Sequence, residues 1–280
     1  MTQHHFLFLS PSGSTRVAAW AAAEELGRLG AQCRITDLSP VLRREAPLPN
    51  PLPGECLWVG SPVYCDHALP QVMNCIAELS PSDGRSAVPF VTWGGICSGT
   101  ALLEMGAALE RQGYAIMGAA KIMAEHASLW CYPNPLGRGR PNQSDLEQMR
   151  LLARAVRQRL VDREAGKLAG RITSTTLDYQ TERNKNKAAA ASLEAAKRRA
   201  SPLLADGARC SGCGLCVDIC PVGARRMASP PSPDETCILC KACARCCPQE
   251  AITVDTSGFL ERLRTMAAEC GEEQETRVFL

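Results

Sequence analysis

The stretch CILCKACARCCP, Cys237 to Pro248, packs five cysteines into twelve residues. A metal centre of tetrahedral or cubane type takes four protein thiolates, so one is surplus. An offset of 27 residues identifies it. Cys210, Cys213, Cys216, Cys220, Pro221 and Ala224 fall on Cys237, Cys240, Cys243, Cys247, Pro248 and Ala251. The repeated pattern is C-x2-C-x2-C-x3-C-P-x2-A, and Cys246, opposite Ile219, lies outside it. Three thiolates two residues apart wrap three corners of an iron–sulfur cube, and proline turns the fourth away from that loop. Structural zinc prefers two separated cysteine pairs. The spacing therefore favours two iron–sulfur centres.

Residues 203–256 resemble a bacterial two-[4Fe–4S] ferredoxin domain, a small α+β unit, at every motif position. The resemblance implies that each fourth cysteine ligates the opposite cluster. One cluster then takes Cys210, Cys213, Cys216 and Cys247. The other takes Cys237, Cys240, Cys243 and Cys220. Gly212, Gly214, Gly223, Ala242 and Ala244 are expected to let backbone amides approach the cluster sulfurs.

The preceding chain has a different pattern. Residues 1–166 alternate apolar runs with helical stretches: HFLFL (5–9), QCRITD (32–37), CLWVG (56–60), AVPFVTW (87–93) and YAIMGAAKIM (114–123) as strands, closed by an amphipathic helix over 145–163. Strands alternating with helices predict βαβ units and a doubly wound parallel sheet. Pro40, Pro47, Pro49, Pro51 and Pro53 leave little room for a helix in the second crossover. Residues 167–202 read as a basic, partly helical linker, either a solvated helix or a docking face for an acidic redox partner. Residues 257–280 read as a C-terminal tail.

In such a sheet, ligands bind at the carboxyl ends of the strands. Three loops fall there: SPSGST (10–15), SPVYCD (61–66) and WGGICSG (93–99). The first opens a helix with Ser10, Ser12, Ser14, Thr15 and Gly13, and a helix N-terminus rich in hydroxyls suits a phosphate. It carries no Gly-Lys-Ser/Thr, which speaks against a nucleoside triphosphate, and no G-x-G-x-x-G, which speaks against a nicotinamide dinucleotide. SPSGST is similar to the phosphate loop of flavodoxins. GSPVY and WGG resemble the two loops that clasp their flavin ring. The resemblance implies a flavodoxin-like, five-stranded sheet of order 2-1-3-4-5. It implies FMN held by Ser10, Ser12, Gly13, Ser14, Thr15, Pro62, Tyr64, Trp93, Gly94 and Gly95.

Taken whole, and with AEHASL (124–129) and GRPNQSDL (139–146), the chain resembles a family that fuses a flavodoxin-like domain to a two-cluster ferredoxin. That resemblance implies an iron–sulfur electron-transfer protein relaying electrons between two [4Fe–4S] clusters and FMN. The alternatives are a flavin-dependent reductase of a small organic acceptor, or a ferredoxin with an FMN-free docking domain. His126, just past strand five, suits either a hydrogen bond to a flavin or substrate, proton donation, or a structural role. Cys33, Cys56, Cys65, Cys75, Cys97 and Cys131 read mainly as small core residues. Cys65 and Cys97, both in the expected flavin loops, make a conceivable redox pair. A net charge of +2 and 5% aromatic residues do not suggest nucleic acid as a partner. The N-terminus lacks a basic leader and no run reaches the length of a membrane span, so the expected setting is the cytoplasm, with redox proteins as partners.

Overall fold

A computed structural model describes residues 3–168, 170–200, 203–228, 230–254 and 257–280. Of the expected limits of the ferredoxin unit, 203 and 256, the second lies outside the described residues, as does 202, the expected end of the linker. In chain order the sheet-forming part runs β1 (Gln3–Phe8), α1 (Ser14–Arg28), β2 (Gln32–Asp37), α2 (Ser39–Leu42), β3 (Glu55–Tyr64), β4 (His67–Ala68), α3 (Pro70–Glu78), β5 (Ser86–Trp93), α4 (Ala101–Arg111), β6 (Ala115–Ile116), β7 (Ala119–Met123) and α5 (Gln143–Glu164). The proline-rich second crossover indeed holds only the four-residue α2.

The sheet order is β2-β1-β3-β5-β7-β8, where β8 (Arg277–Phe279) is the last strand of the chain. The first five are parallel, in doubly wound, flavodoxin-like order. The fifth is broken: β6 and β7 both pair with β5, and Gly118 lies between them. A Cβ at Gly118 would come within 2.7 Å of Leu152 on α5, so the helix sits against bare backbone there.

Alternation of side chains along buried strands supplies both faces of the sheet. From β1 and the residue after it, Leu7 and Leu9 point to one core with Leu102, Met105 and Leu109 of α4. Phe6 and Phe8 point to the other, with Trp58, Phe90 and the alanine-rich face of α1.

Two expectations for the flanking segments need correction. The sheet has a sixth strand, because β8 pairs antiparallel with β7. Residues 257–280 are thus no loose tail: they form α10 (Phe259–Cys270) and then β8, after α8 (Leu215–Asp218) and α9 (Ala242–Cys246) of the ferredoxin unit. The basic segment does form helices, α6 (Glu182–Ala189) and α7 (Leu193–Arg199), but it is packed, not solvated. Leu177 and Leu193 enter the first core, and Asn184 and Ala188 are buried. His67 ties it down, with Nδ1 on Glu104 at 2.6 Å and Nε2 donating to the Ala188 carbonyl at 2.9 Å.

The ferredoxin unit is small. It holds α8 (Leu215–Asp218), α9 (Ala242–Cys246) and the antiparallel bridges Ala205–Ile252 and Arg225–Pro233 around a core of Leu203, Cys216 and Ile252. It sits on the carboxyl ends of the parallel strands. Arg43 donates to the Asp218 carbonyl at 2.9 Å, Arg245 to the Pro11 carbonyl at 3.2 Å, and Ile238 is buried in the first core. No described helix is long and apolar enough to cross a membrane.

Candidate metal centres

The backbone of the two cysteine runs repeats as faithfully as the sequence. Gly212, Gly214 and Gly223 are left-handed, at φ 69°, 79° and 63°. Their counterparts 27 residues on, Leu239, Lys241 and Glu250, are left-handed too, at φ 56°, 59° and 46°. Glycine adopts this conformation freely, whereas other residues pay about 1–2 kcal/mol. Three strained residues in one run, at the positions of three glycines in the other, mean that the loop shape itself is required. Successive amides in such turns point inward and form an anion-binding concavity of the kind that cradles iron–sulfur centres. Ala242 and Ala244 amides hydrogen-bond the Cys240 and Cys243 sulfurs, and the Leu239 amide reaches Cys237 Sγ at 3.4 Å.

Two cavities open beside these loops. One, with about 360 Å3 of empty space, is lined by Cys210, Cys213, Cys216 and Cys247, with Leu215 and Ile252. The other, with about 320 Å3, is lined by Cys237, Cys240, Cys243 and Cys220, with Arg225 and Ile238. Each run thus contributes its first three cysteines to one cavity and its fourth to the other. Cys246 lines neither: its Sγ turns to the Cys243 carbonyl at 3.4 Å.

The electrostatics fit an anionic guest. Burial pushes the Cys216, Cys237 and Cys243 thiols up, and Cys240 up to about 12. Thiols in that state bind metal by giving up their protons, which ties binding to pH. Arg225, only 2% exposed, lies against the second cavity. Its guanidinium donates to the Pro231 and Leu203 carbonyls, and its charge favours the thiolate at Cys243. It also favours the thiolate at Cys216, which lines the first cavity. Among the described residues no carboxylate pairs with Arg225. A buried cation without a counter-ion is costly, and an iron–sulfur cluster with four thiolates supplies the missing negative charge. Sequence reasoning passed over Arg225, since one arginine in GARRM carries no signature of its own.

The three expected flavin loops are unequal. In the first, Gly13 is left-handed at φ 95° and α1 starts beside it, with no acid in its first turn. Ser10 Oγ accepts the Arg16 amide at 2.9 Å, and Ser12 and Ser14 are half-buried. Thr15 departs from expectation: it is buried, and its hydroxyl is bonded to Thr92 at 2.8 Å. Arg16 reaches over the Gly13 backbone, and Arg245 reaches Pro11 from the ferredoxin unit. Those two cations were not foreseen, and they complete a cradle suited to a phosphate.

In the second loop Pro62 is buried and Tyr64 is half-buried beside Cys240 and Cys237. Burial and the neighbouring sulfurs raise its phenol well above the ordinary value. Gly99 locks this loop to the next: a Cβ there would fall 1.9 Å from the Asp66 carbonyl oxygen.

The third loop does not offer the open aromatic expected. Trp93 is 1% exposed, with Lys121 Nζ 5.0 Å from its ring centre. Lys121 is paired in turn with Glu272 at 2.7 Å. Gly95 is covered by Gln274, whose Nε2 donates to the Gly95 carbonyl at 2.8 Å. Gly94 is covered by His126, 2.8 Å from where a Cβ would stand. The reason is the C-terminal segment, which returns to pair with β7 and lies across this loop. His126 itself is held near pKa 4 by burial and by Lys241, so it is neutral, and its Nδ1 accepts the Ser128 amide.

Residues 206–226 match a family model described as a 4Fe-4S binding domain, and residues 234–254 match a second model of the same description. The chain thus carries two 4Fe-4S binding motifs, one on each cysteine run. No curated protein sequence matches the chain. Among solved structures it is similar to a flavodoxin from Archaea (15% identity, 57% of this chain and 99% of that one, TM-score 0.39) and to flavodoxin 2 from Bacillus cereus (15%, 56% and 99%, 0.42). It is also similar to rubredoxin oxygen:oxidoreductase from Desulfovibrio gigas (18% identity, TM-score 0.42), where 61% of this chain spans only 38% of the other. The topology of the N-terminal unit is read from its own strand order and does not lean on these scores.

Proposed function

We propose that this chain is an electron-transfer protein in which two [4Fe–4S] clusters exchange electrons with FMN bound at the carboxyl ends of the parallel strands. The carrying observation is the crossed lining of two cavities, four cysteines each, with Tyr64 at the end of β3 beside Cys240 of the second. Cys210, Cys213, Cys216 and Cys247 hold one cluster; Cys237, Cys240, Cys243 and Cys220 hold the other. The clusters supply one-electron chemistry, and FMN joins one-electron to two-electron steps. The protein's part is positional. Left-handed turns aim amides at the cluster sulfurs, and Arg225 offsets cluster charge. Ser10, Ser12, Gly13, Ser14 and Arg16 hold the phosphate, while Pro62 and Tyr64 flank the ring. Trp93, Gly94 and Gly95 are left out of this set because chain already covers them, and Thr15 because its buried hydroxyl is bonded to Thr92.

The two clusters have different surroundings. Leu215, 47% exposed, and exposed Cys213 border the first cavity, so external redox proteins exchange electrons there. The second faces inward to Tyr64. The setting is the cytoplasm, where thiols stay reduced for cluster assembly.

The covered third loop favours one rival, an FMN-free docking domain. Anaerobic purification followed by iron, sulfide and FMN quantification separates them. Two clusters' worth of iron and sulfide with stoichiometric FMN is the expected result. The same iron and sulfide without flavin removes FMN and leaves the docking reading. Iron for one cluster or none overturns the ligand sets.

A further inference from the structure

Eight cysteines line the two cavities; of the others, Cys131 is exposed, contrary to the expectation of a core residue, and several are spent on packing. Cys56 and Cys75 are buried in the two cores, and Cys33 donates to the Ala23 carbonyl. Cys97 and Cys270 are different. Cys97 lies in the loop after β5, and Cys270 is the last residue of α10, yet their sulfurs lie within 4.8 Å of each other. Both are only partly buried, so a small reagent reaches them. With a carboxylate oxygen of Glu272, the two sulfurs form a group whose atoms all lie within 4.8 Å of one another.

Two chemistries suit such a group, a metal ion or a disulfide. The carboxylate decides. Glu272 Oε1 accepts from Lys121 Nζ and Ser98 Oγ, and Oε2 accepts from the Ser98 amide and Gln180 Nε2. Four donors use the four acceptor positions of a carboxylate. Two thiols alone do not complete a tetrahedral metal site. The sulfur grouped with Cys97 and Glu272 is that of Cys270, not that of Cys65.

We propose that Cys97 and Cys270 are a thiol–disulfide couple that fastens the end of α10, and with it the C-terminal segment, over the loop following β5. The oxidant is a low-molecular-weight disulfide of the glutathione type. The Cys270 thiolate attacks one sulfur of that disulfide; its S–S bond breaks and one reagent thiolate leaves. Cys97 then attacks Cys270 in the mixed disulfide, the internal S–S bond forms, and the second reagent thiolate leaves. The two protons from the cysteines end on the two reagent thiols, so two thiols are oxidised and one disulfide is reduced. Proximity favours the second step, because the Cys97 sulfur stands within 4.8 Å of the Cys270 sulfur that it attacks. The bond would reinforce contacts already crossing the same seam, Glu272 to Ser98 and Gln274 to Gly95.

The test uses the full chain, cluster-loaded and anaerobic, equilibrated in glutathione buffers of graded oxidised-to-reduced ratio, quenched by alkylation and digested with trypsin. The tryptic peptides 86–111 and 265–277 each hold a single cysteine, Cys97 and Cys270. The expected result is a linked pair of these peptides whose fraction rises with oxidised glutathione and is lost in Cys97→Ser and Cys270→Ser. Both cysteines staying alkylatable in the most oxidising buffer overturns the proposal. So does Cys97 linked to Cys65. So does stoichiometric zinc, taken up from zinc alone, that either serine variant abolishes.

Discussion

Replacing Arg225 with methionine removes a buried charge while keeping most of the side-chain volume. The Arg225 charge favours the thiolates of Cys243, Cys216 and Cys237. A unit charge about 4 Å from one thiolate is worth about 4 kcal/mol at an effective dielectric near 20. An added electron spreads over a whole cluster, so about half of that, about 2 kcal/mol, acts on reduction. For one electron this is on the order of 90 mV. Loss of the cation disfavours reduction, so the cluster in the second cavity should shift negative by that order, and the other by less. Arg225→Lys keeps the charge and should stay near the parent potential. The methionine variant also strands the Pro231 and Leu203 carbonyls, at about 1–3 kcal/mol each, so stability falls as well. The assay is a redox titration followed by electron paramagnetic resonance on anaerobic protein. If Arg225→Met retains both clusters at unchanged potentials, the electrostatic argument fails and Arg225 is only a tie between two carbonyls. If the methionine variant loses its clusters, the lysine variant still decides: cluster retention there assigns the loss to charge.

Three further outcomes follow from the same geometry. Cys246→Ser should keep full iron and sulfide, whereas Cys247→Ser should lose the cluster of the first cavity; iron analysis and spectroscopy distinguish them. Gly212→Ala meets open space but sits at φ 69°, so it should cost about 1 kcal/mol through the backbone alone and lower the urea midpoint without removing a cluster. His67 is raised to about 9, mainly by its hydrogen bond to Glu104. Its contribution is therefore complete below about pH 6.5 and fades as pH rises through about 9. On the order of 1–2 kcal/mol after screening should vanish across that window, and His67→Gln should flatten the thermal midpoint between pH 6.5 and 9.

The positions of the regular elements were legible because the determinants are local. Apolar runs at 5–9, 32–37, 56–60 and 87–93 became strands, and the proline cluster reduced the second crossover to one helical turn. The cysteine register was equally legible, since an offset of 27 needs only the chain itself to single out Cys246. Even the loop shape was half visible, as three glycines in one run; that Leu239, Lys241 and Glu250 copy their dihedrals was not, because strain leaves no mark in a residue's identity.

What lay beyond the sequence depends on contacts between segments distant along the chain. Trp93 looked like an open ring neighbour, but its burial is decided by Lys121 and Glu272, 151 residues apart. Arg225 was one basic residue in a row of two until folding placed it between cysteines and denied it a carboxylate. Residues 257–280 read as a tail because three residues of β8 carry too little periodicity to announce a strand; pairing with β7 makes one of them. By itself the sequence determined which cysteines share a pattern and where strands alternate with helices, both properties of neighbours along the backbone. The resemblance carried by that pattern already implied that Cys247 crosses to the first cluster; the tertiary structure alone decided that the ferredoxin unit caps the strand ends and that Cys97 meets Cys270, because each is a distance through space that no local spacing encodes.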